Sequence, residues 1–145
     1  MTLFLGRYDY AMDERGRVPV PPRYREAFAR GTVLSQGSPD PCLRIYTMES
    51  FEAQAALYTN EPATKRAGRI TRHGLFPRSF QAELDRQGRV LIPAALREFA
   101  ALESGVVVVG AGEWLEIWSP ERFEAEMAVV DQELERTLES LEPRP

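Results

Sequence analysis

The feature that most constrains this chain is an internal repeat of a segment near the N-terminus. The sequence DERGRVPVP at 13–21 corresponds to DRQGRVLIP at 85–93, an offset of 85 − 13 = 72 residues. The same offset aligns Phe4 with Phe76, Phe51 with Phe123, and Leu43 to Tyr46 with Leu115 to Trp118. Apolar positions and turn residues recur together, so we interpret the chain as two copies of one small unit.

Each copy contains an Asp-x-x-Gly-Arg turn between two β-strands. The aspartates Asp13 and Asp85 can turn the chain through their own side chains, and Gly16 and Gly88 can adopt the positive φ of a tight hairpin. The β-branched strands 18–20 and 90–92 follow, and each ends at a proline.

The rest of each copy predicts a short helix, two strands and a second helix. Glycines Gly31 and Gly105 are expected to release the short helices. The predicted helices are 22–29, 94–101, 51–58 and one that begins at Ser119, and the predicted strands are 33–34, 43–46, 106–109 and 114–118.

The last helix has a clear start and an apolar stripe. Ser119 is suited to be its N-cap and Pro120 to occupy the first helical position. Since small units bury little surface, we expect the stripe to pack on a neighbouring copy. Its residues recur every three or four positions: Phe123, Met127, Val130, Leu134, Leu138 and Leu141.

The net charge of −4 conceals a strong asymmetry. Residues 1–100 carry 15 Lys and Arg against 11 Asp and Glu, a net of +4, whereas residues 101–145 carry 3 against 11, a net of −8. Because the basic charge coincides with the repeated turns, an acidic protein can still present a basic surface to nucleic acid.

The chain has one cysteine, Cys42, and one histidine, His73. No disulfide framework, Cys/His zinc site or Cys–His nucleophile pair can therefore form within one chain, and we expect neither a cofactor nor an enzyme. No stretch reaches the length of a membrane span or has the pattern of a signal peptide, so we expect no membrane partner and a cytoplasmic protein.

The doubled turn, followed by a β-branched strand, a proline and an Arg-Glu pair, closely resembles the MraZ family, whose halves are SpoVT/AbrB-like units. The resemblance covers nearly the whole chain. It includes Arg7, Arg25-Glu26, Arg97-Glu98, the segment 107–112 and Glu116-Ile117-Trp118.

The resemblance implies an α+β fold in which two β-hairpin halves interleave in one polypeptide, a swapped-hairpin barrel with flanking helices. It divides the chain into a SpoVT/AbrB-like domain at 7–50, a helical and basic connector at 51–78, a second such domain at 79–122, and an acidic helix and tail at 123–145. It also implies ring-shaped homo-oligomers, associated with the nucleoid, that bind direct repeats in the promoter of the division and cell-wall gene cluster, most simply as a repressor. A small-molecule substrate is not expected.

The sequence departs from the family pattern in the two turns. Pro19 interrupts the first motif strand, which suggests an edge strand or a bulge. Gln87 replaces a charged residue in the second turn. The first turn, with Arg15 and Arg17, is therefore expected to bind DNA more strongly.

The candidate DNA-binding residues are the arginines on or beside the turns, and each also has a purely structural interpretation. Arg17 and Arg89 could pair with the aspartates that start their turns, or could reach a phosphate or guanine edge. Arg15 and Arg86 could be solvated charges or DNA contacts, and Arg7 could add to the same basic surface. Lys65, Arg66, Arg69 and Arg72 favour a solvated helix face over a DNA contact.

Two functions from different classes remain open at this point. One is a sequence-specific DNA-binding regulator, and the other is a structural oligomer that assembles proteins without specific DNA binding. An antitoxin of the AbrB type is a third possibility, but such chains usually have one unit and a disordered arm.

Overall fold

The structure is a computed structural model, and it describes residues 2–143. The α+β class predicted from the sequence is confirmed. The strands are β1 Arg7–Ala11, β2 Arg17–Pro19, β3 Thr32–Gln36, β4 Leu43–Thr47, β5 Ser79–Ala82, β6 Arg89–Leu91, β7 Gly105–Gly110 and β8 Leu115–Trp118. The helices are α1 Met48–Tyr58, α2 Arg66–Leu75, α3 Ala94–Phe99 and α4 Pro120–Leu141, with 3₁₀ helices at Pro22–Phe28 and Phe76–Arg78.

Strands of the two repeats alternate within shared sheets. The larger sheet is antiparallel and has the order β1-β7-β8-β4-β3-β5, while β2 and β6 form a separate ribbon. The first strand of each repeat pairs with the third strand of the other, as β1 does with β7 and β5 with β3. The strands that complete each half are therefore supplied by the opposite half.

The register of the strands relates the two repeats symmetrically. Val18 lies opposite Val90 in the β2–β6 ribbon, and Arg44 lies opposite Glu116 in the β4–β8 pair. Both pairs join positions 72 residues apart, so each strand faces its own counterpart in the repeat. The short β2 strand has β6 as its only partner among residues 2–143, which is compatible with Pro19 inside it.

The main core lies between the ribbon, the short helices and the inner face of the larger sheet. Burying an aliphatic side chain of this size stabilises the fold by about 1.5–3 kcal/mol, and both repeats contribute such side chains to the one cluster. Its fully buried members include Val18, Val20, Leu34, Leu43, Ile45, Val90, Ile92, Leu115 and Ile117.

The short helices differ from the sequence expectation in two ways. The first is a 3₁₀ helix, preceded by Pro21 and beginning at Pro22. The expectation that Gly105 releases the second helix is wrong, because Gly105 already belongs to β7. Ala101 instead takes the left-handed conformation, with φ of 52°, and Leu102 N–H donates to the Arg97 carbonyl at 2.9 Å. Gly31, with φ of 117°, ends the first helix as expected.

The last helix begins as predicted. The Ser119 hydroxyl accepts a hydrogen bond from Arg122 N–H at 3.3 Å, and Pro120 occupies the first turn. Phe123 packs with Trp118 and Val107 in a second, smaller core cluster that also contains Cys42. None of the helices within residues 2–143 combines the length and apolar character needed to cross a membrane.

Candidate nucleic-acid interface

The first candidate turn is closed by Asp13. One carboxylate oxygen of Asp13 accepts hydrogen bonds from the backbone N–H of Arg15 at 3.0 Å and of Arg17 at 2.9 Å. Gly16 N–H donates to the Asp13 carbonyl at 3.0 Å, and Gly16 has φ of 84°. The aspartate and glycine of the motif therefore perform the turn-forming roles expected of them.

The second turn repeats this geometry. The Asp85 carboxylate accepts from the backbone N–H groups of Gln87 and Arg89, both at 2.9 Å. Gly88 has φ of 76°, and its N–H donates to the Asp85 carbonyl at 3.0 Å. Replacement of a charged residue by Gln87 leaves the turn intact because only its backbone takes part.

Ion pairs join the two turns into one surface. Arg17 Nε lies 2.6 Å from Asp13 Oδ2, and Arg89 Nε lies 2.9 Å from Asp85 Oδ2. Two longer ion pairs cross between the repeats, Arg89 Nη1 to Asp13 Oδ2 at 3.4 Å and Arg17 Nη1 to Asp85 Oδ2 at 4.0 Å. We call these four side chains the Asp–Arg quartet.

The quartet balances its own charge. Hydrogen bonds from the Arg17 backbone and then from its guanidinium hold the pKa of Asp13 below its ordinary value, and Arg89 acts on the pKa of Asp85 in the same way. Two carboxylates thus stay ionised beside two guanidinium groups. Arg17 and Arg89 therefore have the structural role that the sequence left open, and their quarter-exposed side chains still reach solvent.

Two further arginines support the turns, each from the opposite repeat. A Cβ placed on Gly16 would lie 2.9 Å from the guanidinium carbon of Arg97, and one on Gly88 would overlap the side chain of Arg25. Arg25 Nε also donates to the Val20 carbonyl at 3.0 Å. Sequence reasoning aligned Arg25 with Arg97 but did not place them at the site, although their recurrence at the common offset was a signal for it.

Arg15 and Arg86 are the cations that the turns expose most freely. Both side chains are exposed. Within residues 2–143 neither guanidinium has a hydrogen-bond or ion-pair partner. Their charge is therefore available to a ligand.

Arg7 does not join this surface, which corrects the expectation that it adds to the first turn. It lies at the far end of β1, about 13 Å along the strand from Ala11. Its guanidinium pairs with Glu124 at 3.1 Å and with Asp9 at 3.4 Å, and it lies over the Phe123 ring at 5.2 Å. Arg7 therefore attaches α4 to the sheet.

The described residues offer no other chemistry at the turns. Among residues 2–143, no group of three or more His, Cys, Asp or Glu side chains is arranged to hold a metal ion. The site instead consists of guanidinium groups, carboxylates and backbone amides, which can bind and orient an anion.

Comparison with known proteins identifies relatives along most of the chain. The family model described as "MraZ protein, putative antitoxin-like" matches residues 3–73 and again 75–139, in agreement with the repeat. A protein of Thermomicrobium roseum named "Transcriptional regulator MraZ" is 39% identical over 131 residues, which is 90% of this chain and 92% of the relative.

Relatives of the same name occur in other bacteria. The protein of Heliobacterium modesticaldum is 40% identical over 121 residues, 83% of this chain and 84% of its own length. That of Dehalococcoides mccartyi is 33% identical over 141 residues, 97% of this chain and 99% of its own length. The similarity therefore extends over both repeats.

Proposed function

The chain belongs to the MraZ family, and on that basis we propose that it is a transcriptional regulator that binds double-stranded DNA through its paired turns. The observation that carries the proposal is the pair of exposed, unpartnered arginines, Arg15 and Arg86, on two turns joined by the Asp–Arg quartet. A regulator of this kind is not an enzyme.

The proposal divides the arginines by role. Arg15 and Arg86 bind phosphate or base edges directly, where a bidentate interaction with guanine discriminates bases by about 1–3 kcal/mol. Arg17 and Arg89 fix the two turns relative to each other and present their remaining donors at the rim of the same surface. Fixed turns favour binding because little conformational freedom is lost on association.

The fold supports a finer proposal about architecture. We propose that the two repeats form a swapped-hairpin barrel of the SpoVT/AbrB type, with units at 7–50 and 79–122. The pairing of β1 with β7 and of β3 with β5 supports it.

We also propose direct repeats in the protein's own promoter, within the division and cell-wall gene cluster, as the target, and repression as the outcome. Several copies in a ring would present the turns repeatedly, and such multivalency raises avidity by roughly 10²–10⁴. The protein would then act at the nucleoid in the cytoplasm.

A second candidate function is an assembly module that does not bind specific DNA. The exposed apolar residues on α4 favour it, since such a stripe can serve protein–protein association. The two candidates differ in whether the turn arginines matter while the oligomer stays intact.

The experiment is DNA binding of wild type and of the Arg15→Ala/Arg86→Ala variant across a salt series, with the upstream promoter fragment and a random fragment of equal length. We expect weaker binding and a smaller dependence on salt, by about 0.9 in the log–log slope for each phosphate that the variant no longer neutralises. Arg136→Ala, an exposed arginine on α4, is the control. Equal binding of the two fragments, or a variant that binds like wild type, would favour the assembly module.

A further inference from the structure

The second half of α4 carries an apolar stripe that the rest of the chain leaves uncovered. Phe123 is 8% exposed, but Leu134, Leu138 and Leu141 are 48%, 51% and 73% exposed. Every residue at 131–142 is exposed. The stripe therefore continues beyond the sheet with nothing from residues 2–143 packed on it.

The repeat shows that the equivalent helix is covered. α1 corresponds to the first half of α4, and α2 packs beside it. The Thr71 hydroxyl donates to the Tyr58 carbonyl at 3.0 Å, and Arg72 Nη1 donates to the Glu61 carbonyl at 2.7 Å. The first repeat thus supplies its own second helix, whereas α4 continues without one.

Acidic residues border one edge of the stripe. Glu124, Asp131, Glu135 and Glu142 follow one another at spacings of seven, four and seven, which places them on one side of a helix. Residues 120–142 contain eight acidic and two basic side chains. Two α4 helices packed together would therefore bring like charges close to each other.

α2 presents the complementary surface. Its outer face is a shallow, open depression with the half-exposed Ile70 among basic side chains. Within residues 2–143 no carboxylate pairs with Arg66, Arg69 or Arg78. We call this the α2 face, lined by Arg66, Arg69, Ile70, His73, Gly74 and Arg78.

We propose that the second half of α4 docks on the α2 face of a second copy of this chain. Leu134 and Leu138 would cover Ile70, while Asp131 and Glu135 would lie against Arg66 and Arg69. Opposite charges at the rim select this pairing over α4 with α4.

Such an interface is heterologous, because the two surfaces differ. Each copy offers one of each, so the interfaces run head to tail and close into a ring if the rotation between copies permits. The inference rests on the proposed function only in that both require several copies. The turn arginines are not part of this interface.

Charge reversal on each surface tests the interface in the full chain. Arg66→Glu/Arg69→Glu lies in the first turn of α2, where acidic residues suit the helix dipole, so the variant should fold. Asp131→Lys/Glu135→Lys changes the acidic edge of α4. Each double variant is expected to weaken self-association by roughly tenfold or more, measured by sedimentation velocity over a concentration series.

Combining the two reversals in one chain should restore self-association, because the charges are complementary again. Glu133→Lys/Glu139→Lys is the matched control, since it has the same charge change on the side of α4 away from the stripe. If it disrupts assembly as strongly, or if the combined variant fails to recover, the proposed interface is wrong.

Cross-linking distinguishes the possible partners. A chain with Leu138→Cys mixed with a chain with Ile70→Cys should form the mixed disulfide, while Leu138→Cys chains alone should not cross-link. Cross-linking of Leu138→Cys chains with each other would show an α4–α4 interface and overturn the proposal. Loss of DNA binding in Arg66→Glu/Arg69→Glu with self-association unchanged would show that the α2 face binds DNA instead.

Discussion

Asp13 and Arg89, which belong to different repeats, are joined by a hydrogen bond of 3.4 Å between Oδ2 and Nη1. The same oxygen accepts from Arg17 at 2.6 Å. One carboxylate therefore organises its own turn and attaches it to the other, so changes at Asp13 should affect both repeats.

Asp13→Ala should lower the melting temperature by about 2–8 °C, because two backbone N–H groups of the turn lose the side chain that accepts their hydrogen bonds. Thermal unfolding followed by circular dichroism measures the change. Asp85→Ala should have a similar effect, and Asp9→Ala, whose exposed carboxylate pairs only with Arg7 within residues 2–143, should have a smaller one. Equal shifts at all three positions would contradict this role of the turn aspartates.

The lowered pKa values of Asp13 and Asp85 predict a contribution to acid stability. A carboxyl group whose pKa is lower in the folded than in the unfolded state stabilises the fold fully above its ordinary pKa of about 3.9. That contribution disappears as the pH falls through the lower folded-state value. The Asp13→Asn/Asp85→Asn variant should therefore have a flatter dependence of unfolding free energy on pH below about 4. A profile parallel to wild type would show that the two carboxylates do not contribute.

Gly16→Ala and Gly88→Ala should both destabilise the fold, because a side chain meets positive φ and the guanidinium of the supporting arginine. The left-handed conformation alone costs about 1–2 kcal/mol. Gly74→Ala is the control, since its added Cβ meets nothing within 4 Å, and in a helix it should stabilise by up to about 1 kcal/mol. Chemical denaturation compares the three, and a neutral Gly88→Ala would mean that Arg25 moves aside easily.

Cys42 should resist thiol reagents in the folded protein. Its side chain is fully buried beneath α4, and burial raises the pKa of its thiol, so little reactive thiolate forms. Labelling with a chromogenic disulfide should proceed only after denaturant is added. Leu138→Cys, at an exposed position, should introduce one rapidly reacting thiol as a positive control, and fast labelling of wild type would refute the prediction.

Glu116→Ala should destabilise the outer face of the larger sheet. The Glu116 carboxylate accepts the indole N–H of Trp114 at 3.0 Å and of Trp118 at 2.9 Å. Leaving a buried donor unpaired costs about 1–3 kcal/mol, so a loss of that order and a changed tryptophan emission are expected on denaturation. Glu113→Ala, at an exposed position, is the control, and equal stability of the two variants would count against the role of Glu116.

Local features of the fold were predictable because their causes are local. The positive φ of Gly16 and Gly88, the capping role of Ser119 and the bounds of most strands within one or two residues follow from turn and capping chemistry. The two differing helix ends show where neighbouring prolines or tertiary packing outweigh propensity.

The long-range arrangement of the candidate site could not be predicted in the same way. Periodicity identifies which face of a strand is buried but not which strand it pairs with. The crossing of Arg97 to Gly16 and of Arg25 to Gly88 therefore emerged only with the strand pairing. Arg7 has the residue type of a DNA-binding side chain but lies at the wrong end of its strand.

The pairing of β1 with β7 has a consequence for synthesis on the ribosome. The partner of β1 follows it by roughly 100 residues, which take about 5–20 s to translate at typical bacterial rates of about 5–20 residues per second. Until then the alternating tyrosines of β1 have no strand beside them. The nascent N-terminal half is thus exposed to aggregation or to pairing with another nascent chain, and release of the finished polypeptide, rather than completion of the first repeat, should limit the appearance of native protein.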